Sequence, residues 1–524
     1  MAALGRIVAP EQRPLSIKVI RNATSSAIRM ALLGPVQFLL IPYIIGKVGA
    51  GGYGTWVLIL VFINMSSLAD LGLAGTLTKH AAEYYARDDF TSLNRLIDTG
   101  LSLYLAIALL VMMLLGGASP ILVRVLFKGS AIPARELAIL WMCNCVIVGI
   151  GLLSAPYYSV LLGLQRMDFT NALNLAQNLL RALLTVVFLH WGWGLRGLVG
   201  ANFAGLALAL LVNIWIVRKL LPELRTYPFD FNWAEVRHIF DFSLKVYLTQ
   251  IAITLDTQIS KLYVGMFVGV TAAGWFNIAS DTAMRIRKVP ELLLSPVMAA
   301  ASELDARGDS GRLRELYFRS HKYIALFGLP LVFYLAFASH RLVYLWLGSA
   351  FGVVAIPLAV LTLVHFFNLT TGPGYLMLMG QGVLRPGIKS AIFGLILDLS
   401  LGLPLTYEYG FLGALFVTCL TLVTASLYFL YLFERQTHIS FLTVAGQAYL
   451  KPSVCALVLL SILSMVSPWG YLHWVGLAVQ GLLFGVLYFL CLMVTKFFDD
   501  FDLRKAESVL PMARLARRMV SLAS

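Results

Sequence analysis

The 524-residue chain is poor in charge. Asp, Glu, Lys and Arg make up 13% of it, where a soluble globular domain carries about 25%. So little charge on so long a chain cannot cover a body surrounded by water. Cysteine is scarce as well: Cys143, Cys145, Cys419, Cys455 and Cys491 all lie in or beside apolar runs. Cys143 and Cys145 are two apart and so point to different faces of a helix. No metal-ligand spacing occurs, and the five read as small buried apolar residues. Also missing are a nucleotide-binding glycine loop, a nucleophile triad and a long polar loop to carry interfacial chemistry. The longest outward loop, about 118–136, holds one carboxylate, Glu136. These absences exclude a soluble protein and argue against a membrane glycosyltransferase, a polymerase or any other enzyme. No metal and no cofactor is expected.

What the chain has instead is apolar length. It is 59% hydrophobic with a mean hydropathy of +0.83. The apolar residues come in runs of roughly 20, enough to cross a bilayer core of about 30 Å as helices. Barrel strands would alternate polar with apolar and be about half as long. The runs predict fourteen spans: 25–46, 52–75, 96–117, 137–163, 170–190, 197–217, 240–260, 267–302, 322–339, 352–380, 386–405, 411–433, 451–467 and 471–495. Breaker clusters at Gly49 with Gly51-Gly52, at Gly192 to Gly194 and at Pro468 to Gly470 fit the loops. The N-terminal stretch, with Arg6, Arg13, Lys18 and Arg21, does not read as a cleaved signal peptide.

The net charge of +14 is explained by its placement, and nucleic acid is not an expected partner. With the N-terminus placed in the cytoplasm, 27 of the 40 Lys and Arg fall in cytoplasmic segments. Seven fall outside: Lys47, Arg124, Lys128, Arg135, Arg196, Lys261 and Arg341. The bias follows the positive-inside rule and puts both termini in the cytoplasm. The basic tail (Arg504, Lys505, Arg514, Arg517, Arg518) is expected to lie on anionic membrane lipids.

The most specific signal is internal. Residues 81–96, AAEYYARDDFTSLNRL, align with 301–316, ASELDARGDSGRLREL, and 7 of 16 positions match at a constant offset of 220. The matches include Glu83/Glu303, Arg87/Arg307 and Asp89/Asp309. The same offset pairs Gly54 with Gly274. Gly194-x-x-Gly197 resembles Gly410-x-x-Gly413 at an offset of 216. The matched segment is charged, so apolar low complexity does not produce it. The offset covers an even number of helices, which predicts a parallel repeat with a central cavity. The expected organisation is a cytoplasmic segment 1–24, a six-helix bundle 25–220, a linker 221–239, a second six-helix bundle 240–435, two extra helices within 436–497, and a basic tail 498–524. The fold class is therefore an all-α polytopic membrane protein of about fourteen transmembrane helices.

These residues resemble a known superfamily, the multidrug/oligosaccharidyl-lipid/polysaccharide exporters. The branch they look most like is the bacterial O-antigen and exopolysaccharide flippases. The resemblance rests on Tyr53-Gly54-x-Trp56, Asp70-Leu71-Gly72-Leu73 and the Glu83 to Asp89 segment. In the second half it rests on Asp256-x-x-Ile259-Ser260 with Gly265, Gly274-Trp275-Phe276 and the Asp309 loop. It covers roughly residues 20–435. One departure is that Ala272-Ala273 precede Gly274 where Tyr53 precedes Gly54. The resemblance implies alternating-access transport of an undecaprenyl-diphosphate-linked oligosaccharide across the bacterial inner membrane. Polysaccharide polymerase or glycosyltransferase machinery would be the partner. A multidrug exporter of the same fold and a lipid II flippase are the alternatives.

Ionisable groups within a membrane span are costly and usually face a cavity or a partner. Six cations fall inside the expected spans: Arg29, Arg181, Lys245, Arg285, Arg287 and Lys288. The clear anions are Asp256, Asp281 and Asp398, with Asp70 and Glu291 nearer an interface. An excess of cations suits an anionic diphosphate, whose oxygens take charge-assisted donors, better than a cationic drug. In span eight, Asp281, Arg285 and Lys288 share a helix face. Either they line the cavity, or Asp281 neutralises Arg285, or the last turn is a cytoplasmic anchor. Arg29 either binds or snorkels to headgroups. Arg181, near the middle of span five, is the best single cavity cation. Asp398 either pairs with Arg181 or another cation or, like Asp256 and Asp281, serves as a coupling site for a proton or sodium ion. His365 reads as a buried packing residue rather than a proton relay.

Overall fold

A computed structural model of the chain describes residues 15–164, 167–222, 247, 251, 254–255, 257–466, 473–499 and 501–502. Lys245, Asp256 and the basic residues of the tail lie outside the described residues, as does the side chain of Arg29. The described residues form helices and no strand. In chain order the helices are α1 (Leu15–Met65), α2 (Leu73–Ala86), α3 (Phe90–Gly117), α4 (Ser119–Leu126), α5 (Ala134–Gly163), α6 (Met167–His190) and α7 (Gly194–Leu220). A helical stretch at 257–267 precedes α8 (Val270–Glu291), α9 (Val297–Ala306), α10 (Ser310–Leu347), α11 (Ala355–Leu369) and α12 (Gly372–Gly380). The chain continues as α13 (Arg385–Thr437), α14 (Phe441–Ala448), α15 (Leu450–Val466) and α16 (Trp474–Val494).

Among the described residues nine helices are long and apolar enough to cross a membrane, and the bent pair Phe441–Ala448 with Leu450–Met465 makes up to ten. Two of the nine are double spans. The break in α1 falls at Gly49 (φ 74°, ψ 170°) and the break in α13 at Gly410 (φ 59°, ψ −133°). Both lie in backbone regions that side chains disfavour. Spans one and two therefore share α1, and spans eleven and twelve share α13. Span seven lies partly outside the described residues. Span eight, expected to reach 302, ends as an α-helix at Glu291. A short 3₁₀ turn, Leu292–Leu294, follows, and Pro296 precedes the separate α9. The leucines carry the hydropathy past the break, which hid it.

Side chains that would be unfavourable in water lie open on these helices. Met113 is 69% exposed, Leu482 71% and Val475 74%, as expected of a surface that faces lipid. The cysteines are free. Cys145 and Cys455 are buried, Cys419 and Cys491 half-buried, and Cys143 is exposed, so it is not a packing residue as expected.

The repeat is visible as matched local geometry. Asp89 and Asp309 have nearly the same backbone angles, and each caps its helix by accepting from a backbone N–H three residues on, Ser92 and Arg312. Glu83–Arg87 and Glu303–Arg307 form the same i,i+4 pair at 2.8 and 2.5 Å. A Cβ on Gly163 would meet Thr78 O at 2.7 Å and Ala81 Cβ at 3.0 Å. One on Gly380 would meet Met298 O at 2.6 Å and Ala301 Cβ at 3.1 Å. Each partner is displaced by 220 and the glycine by 217, which is the gap that the falling offset implied. Gly54 and Gly274 also touch: a Cβ on Gly274 would lie 3.1 Å from Gly54 Cα, and one on Gly54 would lie 1.8 Å from the Val270 carbonyl oxygen.

The chain packs as two compact units. One comprises Met1–Gly274 with Asp398–Ala414, the other Trp275–Leu397 with Leu415–Ser524. The first has a core of α2, α3, α5 and the end of α7, around Leu77, Leu96, Tyr104 and Leu161. In the second, α15 and α16 dock on α10 through Leu326, Tyr334, Phe484 and Tyr488. Tyr488 donates to Ala325 O at 3.2 Å.

The first half of α10 carries an ion cluster. Lys322 is 5% exposed and pairs with Asp502 and, at 3.3 Å, with Asp499. Arg319 reaches Glu315, Asp499 and Asp502 at 2.8, 3.3 and 3.4 Å and lies over the Phe501 ring. Tyr323 donates to Asp502 at 3.0 Å. Lys322, expected as an ordinary edge residue, is thus a buried structural cation. Asp499 lies beyond α16. Burial alone would raise its pKa, but the backbone N–H and side chain of Asp502, with Lys322 and Arg319, bring it down to about 2.

Candidate functional site

The most concentrated polar group within the spans of the first unit is a ladder on α6. Asn171, Asn174, Asn178 and Arg181 recur at helical spacing, so they share one face. Arg181 lies fourteen residues from the start of the 24-residue helix, or about 21 Å along it. Its Nη2 donates to Asn178 Oδ1 at 2.8 Å and its Nη1 to Asn202 Oδ1 of α7 at 3.4 Å. Gly205 of α7 faces its stem, where a Cβ would lie 3.6 Å from Arg181 Cβ. Among the described residues no carboxylate pairs with Arg181. The pairing of Asp398 with Arg181 therefore does not form. Amide oxygens orient the guanidinium but leave its charge uncompensated.

Toward the start of α6 the ladder opens into a cavity of about 660 Å³ between α5, α6 and α7. Its polar lining is Ser154, Tyr158, Asn174, Gln177 and Asn213. Asn174 Nδ2 donates to the Tyr158 hydroxyl at 3.2 Å, and Asn213 Nδ2 donates to Ser154 Oγ at 3.1 Å. The sequence reading caught Arg181 and missed the amides. Their spacing, repeated at three and four residues upstream of Arg181, was the available signal.

In the second unit, α8 carries the other described candidates. Asp281, Arg285 and Arg287 are half-buried and Lys288 is exposed. Asp281 engages a partner, but no ion pair joins it to Arg285, so mutual neutralisation is not the arrangement. Arg287 Nε approaches Glu291 at 3.8 Å. Arg285 is eleven residues beyond Gly274, roughly 17 Å along the helix, and Lys288 lies one turn from the helix end. Buried His365 on α11 is within electrostatic range of Arg287 and Asp281, and its Nδ1 has no hydrogen-bond partner among the described residues. Asp398 is 2% exposed and engages a partner of its own. Lys261, expected in an outward loop, lies inside the helical stretch 257–267 and is 4% exposed. It is a buried cation that span prediction placed one turn too far out. Among the described residues no group of His, Cys, Asp and Glu could hold a metal ion.

Long apolar helices in repeated sets define a multi-pass membrane protein. Residues 50–356 match the polysaccharide biosynthesis protein family, and the chain belongs to it. It is 21% identical over 324 residues to EpsK of Bacillus subtilis (strain 168), described as an uncharacterized membrane protein. That stretch spans 60% of this chain and 62% of the relative, less than two thirds of its length. The fold is similar to that of the lipid II flippase MurJ in an inward closed conformation, with a TM-score of 0.72 and 14% identity over 91% of this chain and 98% of that one. It is also similar to an inward-facing multidrug resistance MATE family transporter of the MOP superfamily, with a TM-score of 0.61 and 14% identity over 78% and 94% of the two chains. These two structural neighbours are described as a flippase and a transporter.

Proposed function

We infer that the protein flips an undecaprenyl-diphosphate-linked oligosaccharide across the bacterial inner membrane during polysaccharide biosynthesis. The observation that carries this reading is Arg181, a cation deep in a span whose described partners are neutral amides. Isolated charge in a membrane span is costly unless a ligand of opposite sign visits it. A diphosphate is such a ligand, and an organic cation is not. Arg285, Arg287 and Lys288 on α8 add positive charge of the same sense. In this reading both termini are cytoplasmic, alternating access carries the head group, and the lipid tail stays in the bilayer. Asp281 and Asp398 are the described candidates for coupling to a proton or sodium gradient. Partner polymerase or glycosyltransferase machinery would supply and consume the cargo.

The test is complementation of a deletion strain with R181A, reading surface polysaccharide and protein level together. Loss of charge-assisted hydrogen bonds predicts a fall of roughly ten- to a hundredfold in flux, with R181K partly active. Unchanged polysaccharide at normal protein level overturns the role of Arg181. Loss of organic-cation efflux with intact polysaccharide would favour a drug exporter.

A further inference from the structure

The cavity between α5, α6 and α7 differs from a packing defect in three ways. Its volume, about 660 Å³, is in the range of small-molecule sites rather than of voids between packed helices. Five of its lining side chains are polar, and none is charged. Its amides are also only partly used. Asn174 and Asn213 each spend one N–H on a neighbouring hydroxyl, and Gln177 makes no side-chain hydrogen bond among the described residues. Amides that serve only to join helices in a membrane would be paired with one another. Here each keeps a carbonyl oxygen free to accept, and N–H groups free to donate, beside open space.

A carboxamide offers a donor and an acceptor side by side. This pairing matches adjacent sugar hydroxyls or an acetamido group. The uncharged lining disfavours phosphate and metal ions. Gly151 and Gly205 provide the room, while Leu173 and Val212 present apolar surface suited to the C–H face of a pyranose ring. The cavity also ends at the right neighbour. Gln177, which lines the cavity, and Arg181 are four apart on α6 and so share a face, and Gly205 packs on this stretch, where a Cβ would lie 3.6 Å from Arg181 Cβ and 4.0 Å from the backbone carbonyl oxygen of Gln177. Neutral hydrogen-bonding groups thus run directly into a cation.

We propose that this cavity is a sugar-binding site that holds the uncharged, hydroxyl-rich unit next to the diphosphate, with Asn174, Gln177 and Asn213 as its hydrogen-bonding residues. The assignment rests on the lipid-linked cargo inferred above. Arg181 sets affinity for the anion, and the amides set preference for the sugar attached to it.

The two contributions separate in one experiment. Full-length protein in nanodiscs is titrated with undecaprenyl diphosphate and with its N-acetylglucosamine conjugate, and binding is read by native mass spectrometry. The wild type is expected to prefer the conjugate by about tenfold, as two or so net hydrogen bonds would give. Q177L alone, and Q177L with N174L, should bring that preference toward one while leaving the bare diphosphate bound. R181A should weaken both ligands and keep their ratio. Gln177 has no partner to lose, so Q177L tests the site even if N174L, which breaks the bond to Tyr158, impairs folding. Equal wild-type affinity for the two ligands, or a preference that survives Q177L, overturns the sugar site and leaves the cargo reading intact. A wild type that binds neither overturns the cargo reading and the sugar site with it.

Discussion

Two cations on the helices of this protein, buried Lys322 and half-buried Arg181, have opposite surroundings. Lys322, in the first half of α10 in the second unit, is enclosed by the carboxylates of Asp499 and Asp502 and lies over the ring of Phe497. Arg181, midway along α6 in the first unit, meets among the described residues only the amide oxygens of Asn178 and Asn202. A buried ion pair is a closed arrangement, and removing one member leaves the other stranded. A cation held by dipoles is an open one. It is positioned without being neutralised, and its remaining attraction is available to a ligand. In the proposed reading, the partner is what separates a structural charge from a functional one.

The comparison can be tested from its strongest side downward. K322M takes from buried Asp502 its nearest cation and leaves Arg319 at 3.4 Å, so it should lower stability by less than the roughly 3–5 kcal/mol of a fully stranded buried charge, read as a lower midpoint of thermal unfolding in detergent. K322M with D502L removes the buried pair, leaves Arg319 with Glu315 and Asp499, and should recover most of that loss. R181M should behave in the opposite manner. No ion pair is broken, so the midpoint should stay unchanged or rise slightly while polysaccharide export falls. A marked drop in R181M stability would mean that Arg181 is as structural as Lys322. The smallest effect is in pH. The folded pKa of Asp499 is about 2, below its ordinary value of 3.8. Its contribution is therefore complete above pH 4 and fades as pH falls toward 2. Thermal midpoints should show an acid-side loss that D499N lacks, small because the carboxylate is 44% exposed and screened by solvent.

Much of the fold was legible because a bilayer imposes few rules. Spans must be long and apolar, and loops carry charge according to side. The repeat could be read because its loop is charged, and the paired caps at Asp89 and Asp309 reproduce it in geometry. Residues on the borders of spans were harder to place. Lys261 was assigned to a loop and Lys322 to the edge of a span because hydropathy windows end at charges, whereas both helices continue and bury them. The break after Glu291 was hidden by three leucines. The site was legible only where it carried charge. Arg181 stood out against its apolar neighbours, while the uncharged Asn174, Gln177 and Asn213 did not. Which amides share a cavity depends on three helices packing together, and spacing along one helix does not report that.

Gly54 and Gly274, equivalent positions of the repeat, lie against each other, as a residue near the two-fold axis of a symmetric dimer would lie against its own copy. In a true dimer every substitution there would occur twice, once on each side. Joining the halves in one polypeptide removes that obligation. Tyr53 flanks the contact on one side, its ring 3.2 Å from the Cβ position of Gly274, and Ala273 stands in the equivalent place on the other. The glycines keep the symmetry that close approach demands, and their neighbours show the freedom to differ that a single chain allows.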